Sequence, residues 1–371
     1  MEQTHTPPFR ADAVGSYLRT DAIHEARAQH TAGQLDDEQL RAIEDREIVA
    51  LIEKQQNIGL EAITDGEYRR AYWHFDFFDG LDGIELGEGP TGMDFQGLAI
   101  KPVAVEIVGK LGFPDDHPML AHYRFLQQNT GAGHLPKMTI PSPTVLHFRL
   151  AGDSLVTPLY ADRDALFDDL AAAYRGAVAA FYAAGCRYLQ FDDTAWAYLC
   201  SADELAKAAA RGIDIDHIQE AYVTLINDSL RDKPADMVIT THVCRGNFRS
   251  SWIASGGYEP VAENLLANCD YDGYFLEYDS ERAGGFEPLR FLPHGDKIVV
   301  LGLITTKSGA LEAVGDVEKR ITEAAQFAPL EQLALSPQCG FASTEEGNVL
   351  SEDQEWAKMR EVIQVAGEVW G

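Results

Sequence analysis

Short β-rich runs alternate with long amphipathic segments along the chain, and this alternation constrains the fold more than any other sequence feature. The runs are, in chain order, RADAVGSY, LEAITDGE, HLPKMTIPSP, CRYLQFDDT, MVITTHVCRG, YDGYFLEYD, KIVVLGLITT and LALSPQCGF. Eight strands joined by helices are the repeat of a (β/α)₈ TIM barrel, so we predict an α/β protein with this fold. A doubly wound sheet is the main alternative, but no glycine-rich dinucleotide fingerprint follows the first run to support it.

One segment, residues 75–133, does not follow the alternation. It contains DGLDGIELGEGPTGMDFQG and PVAVEIVGKLGF, a pattern typical of a loop and a hairpin. No low-complexity tract or clear linker divides the 371 residues. We therefore predict a single domain over residues 1–371, with residues 75–133 as an insertion after the second strand.

The charge and composition of the chain disfavour several classes of partner. A formal net charge of −29 at pH 7 would repel the phosphate backbone of a nucleic acid. No apolar run approaches the roughly 20 residues that a membrane helix needs, and MEQTHTPPFR has no apolar core of the signal-peptide kind. Five widely spaced cysteines fit a reducing compartment better than a disulfide framework. We expect a cytoplasmic protein without a nucleic-acid or membrane partner; a homo-oligomer is compatible with these features.

Ionisable side chains and thiols lie where the predicted strands end. Catalytic groups of a barrel lie at the C-terminal ends of its strands, so these residues would meet at one mouth. They are, run by run, Asp65 and Glu67, Asp192 and Asp193, His242 and Cys244, Glu277 and Asp279, Lys307, and Cys339. The sequence thus predicts one site that carries thiols, an imidazole and carboxylates.

Four of these residues form a chemically sensible metal set. His242 and Cys244 are alternate residues of one strand and therefore point the same way. Glu277 and Cys339 add a carboxylate and a second thiol, and the set suits tetrahedral Zn²⁺. Donors from three strands of a large domain favour a catalytic site over a structural one. The alternative is that His-x-Cys merely ends a buried strand, and these two residues alone do not decide between the two interpretations.

Three sequence blocks resemble the zinc-binding blocks of cobalamin-independent methionine synthase, in its C-terminal catalytic half. The blocks are THVCRGN, GYFLEYD and LSPQCGF, in the family's order. The resemblance is closer to short bacterial homologues that lack the N-terminal half, and it runs from RADAVGSYLR to the last helix. It implies a barrel with one zinc ion, held by residues matching His242, Cys244, Glu277 and Cys339. It also implies that the zinc binds homocysteine through sulfur and presents it as a thiolate to a methyl donor.

The same resemblance implies a set of residues that hold the amino-acid part of homocysteine. These are Gly15 and Ser16 in the turn after the first run, Glu67 in TDGE and Asp192 in QFDDTAW. Carboxylates that face an α-ammonium group form charge-assisted pairs, and Ser16 with nearby N–H groups would take the carboxylate. The alternative for Glu67 and Asp192 is a structural ion pair at the barrel rim.

One departure from the family concerns the proton donor. The full-length enzyme has a histidine near the start of the loop after the seventh strand, where GLITTKSG places Lys307. Lysine is a poorer acid at neutral pH unless burial lowers its pKa. We therefore name Asp192 and Lys307 as the catalytic candidates, with Lys307 in the place of the family's histidine.

The methyl donor is the second departure. The resemblance implies a methyltetrahydrofolate-type donor, but the full-length enzyme uses both halves to face the folate, so this chain would bind it differently, use another donor, or receive the methyl group from a partner protein. Arg69, Arg70, Arg245 and Arg249 are candidates for a basic patch; the alternative is that they pair with rim carboxylates. The aromatic run YWHFDFF would wall the donor pocket or belong to the core.

The sequence therefore predicts a zinc-dependent methyltransferase that converts homocysteine to methionine. The main alternative is another zinc-dependent thiol alkyltransferase on the same scaffold, with a donor such as an epoxide. A glycosidase would also use paired carboxylates at a barrel mouth, but it leaves Cys244 and Cys339 unexplained. A non-catalytic module that binds zinc and a thiol is the alternative outside enzymes.

Overall fold

The structure, a computed structural model, describes residues 6–88, 94–95, 98–99, 103–150 and 159–371. Its strands are β1 (Ala62–Ile63), β2 (Asp82–Glu88), β3 (Asp94–Phe95), β4 (Leu98–Ala99), β5 (Val103–Gly112), β6 (Leu135–Pro141), β7 (Tyr188–Asp193), β8 (Val238–Val243), β9 (Gly273–Glu277), β10 (Ile298–Ile304) and β11 (Leu333–Pro337). Within the described residues, seven of them form a parallel sheet in the order β1-β6-β7-β8-β9-β10-β11. Neighbours in this sheet are consecutive in the barrel, so the predicted (β/α)₈ TIM barrel is confirmed.

The first predicted run closes the barrel without forming a regular strand. Ala11 forms an isolated parallel bridge with Leu335 of β11, and Ser16 forms one with Gly66 after β1. The ladder is interrupted between these bridges because the backbone turns at Gly15, whose φ is +147°. The segment therefore lies between the last strand and the first, and the eighth barrel position carries two bridges in place of a continuous ladder.

Helices cover the outside of the sheet. They are α1 (Asp21–Thr31), α2 (Asp37–Ile58), α3 (Phe75–Phe78), α4 (Pro118–Asn129), α5 (Pro143–Arg149), α6 (Arg163–Ala183), α7 (Ala195–Tyr198), α8 (Ala202–Ala210), α9 (Ile218–Leu230), α10 (Val314–Ala324) and α11 (Glu352–Trp370). On α6, Leu166, Leu170, Tyr174 and Val178 recur every four residues and are buried. This spacing places them on one helix face, which packs on the sheet. No helix among the described residues is long and apolar enough to cross a membrane.

The predicted hairpin after the second barrel position is present. Strands β2 and β5 pair antiparallel, from Glu88 opposite Val103 to Asp82 opposite Gly112, and the short strands β3 and β4 pair with each other. Part of the predicted loop, residues 89–93, 96–97 and 100–102, lies outside the described residues. Helix α4, also within 75–133, buries Met119, Tyr123 and Leu126 before the chain enters β6.

The N-terminal end of the barrel is closed by a buried polar network. Lys137, near the start of β6, pairs with Asp12 (Nζ–Oδ1 3.2 Å) and donates to the Ala13 carbonyl (2.6 Å). The Tyr188 hydroxyl, from β7, donates to the other Asp12 oxygen (2.7 Å). These groups satisfy one another, so this network offers no free polar group to a ligand at the N-terminal end of the barrel.

Candidate metal centre and substrate pocket

The four predicted metal donors meet at the C-terminal ends of three strands. His242 lies on β8 and Cys244 directly after it, Glu277 ends β9, and Cys339 follows β11 by two residues. One donor atom from each of the four lies within 4.8 Å of the others, and all four residues are buried. The C-terminal ends of parallel strands lie at the same end of the barrel, which explains how residues nearly 100 positions apart in sequence come together.

The geometry and chemistry of the four donors fit a tetrahedral zinc ion. The Sγ atoms of Cys244 and Cys339 are 3.7 Å apart. Two sulfurs bound about 2.3 Å from one ion at the tetrahedral angle would lie about 3.8 Å apart. Both ring nitrogens of His242 are buried and have no hydrogen-bond partner among the described residues. A buried imidazole without a partner is costly unless something else binds it, and a metal ion would do so.

The electrostatics of the donor set favour a bound cation. A hydrogen bond with Cys339 is the largest influence on Cys244 and lowers the pKa of its thiol well below the usual range, whereas the pKa of Cys339 is raised. Burial raises the pKa of Glu277, and the nearby Cys244 thiolate raises it further. These groups would repel one another as anions in a buried site, and a divalent cation would offset that repulsion.

A small pocket opens directly over the donor set. Its lining residues are Val14, Ser16, Glu67, Trp73, Asp192, His242, Cys244, Cys339, Gly340 and Ser343. Trp73 and Ser343 belong to two segments that pair across the mouth, since the Trp73 N–H donates to the Ser343 carbonyl (3.1 Å). The neighbouring residues Tyr72 and Thr344 form an antiparallel bridge. The pocket therefore brings the metal donors and two predicted substrate carboxylates together under a narrow cover.

Glu67 lies in the pocket in an unusual backbone conformation. Its φ is +61°, a left-handed value that is uncommon for a residue other than glycine. One carboxylate oxygen accepts from the Thr139 hydroxyl (2.7 Å) and lies 3.3 Å from the Arg70 guanidinium. The other oxygen, Oε2, is buried and has no partner among the described residues. One oxygen of Glu67 thus forms an ion pair, as in the alternative interpretation of this residue, and the other oxygen stays available to a ligand, as the substrate-binding prediction requires.

Asp192 faces the same pocket from β7. Its Oδ1 accepts from the Gln190 amide (2.7 Å), and no Lys or Arg pairs with it among the described residues. Burial, together with the nearby Glu67 carboxylate, raises the pKa of Asp192 to about 7. A cation bound beside Asp192 would offset the burial and the neighbouring negative charge that disfavour its ionised form.

Gly15 and Ser16 form one wall of the pocket. A Cβ on Gly15 would lie 2.7 Å from the Thr139 side chain, so both its φ and its surroundings require glycine. The Ser16 hydroxyl accepts from the Ala342 N–H (3.3 Å), and its carbonyl accepts from the Phe341 N–H (2.9 Å). These bonds tie the turn to the loop after β11 and fix the Ser16 side chain beside the donor set.

Comparison with known proteins identifies the family. The family model described as the catalytic domain of cobalamin-independent synthase matches residues 9–366. The chain belongs to this family. The predicted membership in a zinc-dependent methyltransferase family of methionine biosynthesis is therefore confirmed.

Relatives of this synthase family match the chain over nearly its whole length. The uncharacterized protein YxjH of Bacillus subtilis is 49% identical over 369 residues, which cover 100% of this chain and 97% of the relative. A solved structure from Listeria monocytogenes, proposed to be a vitamin-B12 independent methionine synthase, is 45% identical, with a TM-score of 0.80 and 98% coverage of both chains. A Mesorhizobium japonicum 5-methyltetrahydropteroyltriglutamate–homocysteine methyltransferase is 23% identical over 90% of this chain and 39% of that protein.

Lys307 is not brought into the synthase-type pocket. Its Nζ bonds the Asp279 carboxylate, which also accepts from the Thr305 hydroxyl (2.9 Å). Lys307 is absent from the residues that line the pocket. Asp193 is likewise occupied elsewhere, because its carboxylate accepts from the Ala195 N–H (2.7 Å) at the start of α7. Lys307 as the proton donor stays a prediction.

Most of the arginines predicted as a basic patch for an anionic methyl donor have other partners in the structure. Arg69 pairs with Glu44 and Asp45 of α2, and Arg70 pairs with Glu67. Arg245 is fully buried, 4.6 Å from the centre of the Tyr258 ring. Arg249 is exposed. The four side chains therefore do not form one basic patch, and for Arg69 and Arg70 the ion-pair alternative holds.

Two residues that contact the donor set were not predicted from the sequence. Asn247 donates to both Cys244 and Glu277, and Arg282 donates to Glu277. A signal for Asn247 existed, because a polar residue after a glycine in CRGN directly follows the strand that carries the predicted metal ligands His242 and Cys244. Arg282 lies five residues beyond Glu277 in an irregular segment, where no periodicity indicates the side-chain direction.

Proposed function

We propose that this protein is a zinc-dependent methyltransferase that methylates the thiol of homocysteine to give methionine. The observation that carries the proposal is a single pocket lined by the metal donors Cys244 and Cys339 and by the carboxylates Glu67 and Asp192. Homocysteine has a sulfur at one end and an α-ammonium group at the other, which match these two sets. Membership in the synthase family supports methyl transfer as the reaction.

The two sets of residues would bind the two opposite ends of the substrate. The four donors would hold the zinc ion, which when bound supplies a Lewis acid that favours the ionised form of a thiol. Glu67 Oε2, buried without a partner among the described residues, and Asp192, which accepts from the Gln190 amide, would bind the α-ammonium group. Ser16 would bind the α-carboxylate through its hydroxyl.

Asp192 is better placed than Lys307 to exchange a proton in this reaction. Methylation requires the thiol proton to leave and the departing donor group to take up a proton. Asp192 lines the pocket, and its pKa of about 7 lets it gain or lose a proton near neutral pH. Lys307 would first have to leave Asp279.

For the donor we propose a methylated folate, the type named for the Mesorhizobium relative. The arginine contacts support recognition that depends little on a polyglutamate tail, since Arg69 and Arg70 already pair with carboxylates. Donors with one and with three glutamates should therefore be used with similar efficiency. A donor delivered by a partner protein is the competing outcome.

The test is methionine formation by zinc-loaded protein from homocysteine and methyltetrahydrofolate, measured by mass spectrometry. Wild-type protein should form methionine, and Cys339→Ser should lose zinc and activity together. Cys186→Ser changes a buried thiol outside the pocket and should retain both. 4-Mercaptobutanoate, which lacks the amino group, should be a poor acceptor. Equal rates with this analogue would refute the amino-acid substrate, and zinc without turnover would favour a delivered donor or a non-catalytic thiol-binding protein.

A further inference from the structure

Both carboxylate oxygens of Glu277 accept hydrogen bonds, although the residue is fully buried among the metal donors. Oε1 accepts from the Arg245 backbone N–H (2.8 Å) and from Asn247 Nδ2 (2.5 Å). Oε2 accepts from the Arg282 guanidinium (2.6 Å). A carboxylate oxygen has two in-plane lone pairs, so the two N–H groups fill Oε1 while Oε2 keeps a free acceptor position. The surrounding protein thus determines which oxygen is available to a metal.

Asn247 connects this carboxylate to a second donor. Its Nδ2 also lies 3.4 Å from the Cys244 sulfur, so one amide group serves ligands from β8 and β9. The amide oxygen, by contrast, is buried without a partner among the described residues. This arrangement fixes which way the amide faces, because the reversed orientation would place Oδ1 against the Glu277 oxygen and the sulfur. The orientation seen leaves an unpaired acceptor, a cost that its two donated bonds offset.

The backbone holds Asn247 in this position. The Cys244 N–H donates to the Asp193 carbonyl (2.7 Å), and the chain then turns at Gly246, where φ is +73°. This left-handed φ strains any residue with a side chain, and a Cβ at Gly246 would also lie 2.8 Å from the Tyr198 hydroxyl, so the turn favours glycine. The CRGN segment is therefore a fixed loop that returns the Asn247 side chain to the donor set.

We propose that Asn247 is a positioning residue of the metal centre. Its amide group fixes the positions of the Cys244 and Glu277 side chains relative to each other. It also draws electron density from the thiolate sulfur, and it does not bind the metal itself. The inference rests on the zinc site of the proposed function, but it concerns a different property. Hydrogen bonds to ligand atoms from outside the coordination shell orient those ligands and tune the metal.

The test compares the zinc affinity of wild-type protein, Asn247→Leu and Asn247→Asp by competition with a chromophoric chelator. Asn247→Leu removes both hydrogen bonds at similar volume, and we expect about 10- to 100-fold weaker binding. Asn247→Asp keeps the size but can place a further negative charge beside Glu277, so its affinity should also fall. Asn348→Leu is the matched control, because its amide bonds Thr306 in the mouth (3.0 Å) and does not contact the donors. This control should bind zinc as wild type does.

A spectroscopic readout separates this role from general support of the fold. In Co²⁺-substituted protein, loss of the N–H···S bond raises the energy of the sulfur lone pair, so the sulfur-to-cobalt charge-transfer band of Asn247→Leu should move to lower energy. The band of Asn348→Leu should stay in place. If both Asn247 variants bind zinc with wild-type affinity and show an unshifted band, the role of Asn247 is wrong but the proposed metal site stands. If the wild-type protein binds no zinc, the metal site and the role of Asn247 are both wrong.

Discussion

Glu67 and Asp192 are buried carboxylates that share one small pocket, and neither has its full set of partners. Glu67 also adopts a left-handed backbone conformation, at a cost of the order of 1–3 kcal/mol for a residue other than glycine. Strain of this kind persists where the surroundings impose it, and it often marks a functional site. The pair is the part of the pocket that a ligand with a positive charge would complete.

Replacing either carboxylate should weaken binding of the amino acid without removing the metal. In Glu67→Gln and Asp192→Asn we expect the KM for homocysteine to rise about 10- to 100-fold, because each change removes a charge-assisted hydrogen bond worth about 1.5–3 kcal/mol. Steady-state kinetics with homocysteine and 4-mercaptobutanoate measure this. The KM should rise for homocysteine only, whereas Asp192→Asn should in addition lower kcat with both thiols, because Asp192 also exchanges the proton. Glu345→Gln, which changes a carboxylate paired with Arg27, is the control. An equal rise for both thiols would contradict the assignment.

A second residue-scale prediction concerns pH. Glu361 on α11 has both carboxylate oxygens buried without partners among the described residues, and burial, with nearby Glu312, raises its pKa to about 7. Because the folded pKa is above the unfolded one, its contribution to stability is fully present below about pH 4.5 and is lost as pH rises through 7. The free energy of unfolding of Glu361→Gln minus that of wild type should therefore increase by on the order of 2 kcal/mol as the pH rises from 5 to 8.

Urea unfolding across that pH range measures the difference. Glu368→Gln, an exposed position on the same helix, is the matched control and should follow wild type at every pH. A constant offset between Glu361→Gln and wild type from pH 5 to 8 would show that Glu361 does not titrate in this window.

The site was predictable to the extent that it lies on strands. His242 and Cys244 could be placed together because side chains alternate along a strand, and their meeting with Glu277 and Cys339 follows from parallel strands that end at one face. The direction of Asn247 could not be predicted, because it depends on a turn whose φ values are set by tertiary contacts. The ion pair between Lys307 and Asp279 could not be predicted either, since both residues lie in loops.

At the scale of elements, helices and central strands were predictable and the first strand was not. The run KIVVLGLITT contains β10, because continuous apolar residues suit a strand buried on both faces. The run CRYLQFDDT contains β7, whose residues are all buried although three of them are polar. The run RADAVGSY was predicted as a strand because it precedes the first helical segment in the same alternation. It contains Asp12, whose carboxylate accepts from the Ala13 N–H (2.7 Å), and it turns at Gly15, so local bonds replace the ladder.

The last helix offers a test of element stability. Ser351 accepts from the Gln354 N–H (3.3 Å), and the Gln354 side chain accepts from the Ser351 N–H (2.9 Å), a reciprocal capping box. Ser351→Ala should lower the free energy of unfolding by about 1 kcal/mol, because it leaves a helix N–H unpaired. Ser201 begins α8 without a side-chain capping bond, so Ser201→Ala is the control and should cost less. Chemical denaturation measures both, and equal losses would contradict the capping argument.

For the whole molecule, charge is the dominant long-range feature. A net charge of −29 on one chain creates self-repulsion that opposes the compact state. Raising NaCl from about 10 to about 100 mM shortens the Debye length from about 30 to about 10 Å. The melting temperature should therefore rise by a few degrees, as followed by circular dichroism. Choline chloride should act equally, since screening does not depend on the cation, and a fall would mean that surface ion pairs outweigh the repulsion.

The pocket also divides along the chain. Ser16, Glu67 and Asp192 all precede β8, whereas His242, Cys244, Glu277 and Cys339 all lie on or after it. A bound substrate would therefore join the two halves of the barrel, with its charged head in one and its sulfur in the other. On the proposed function, changes to Ser16 and Glu67 in the first half would alter acceptor preference while the predicted metal ligands of the second half stay the same. One set of predicted metal ligands would thus be compatible with more than one thiol substrate.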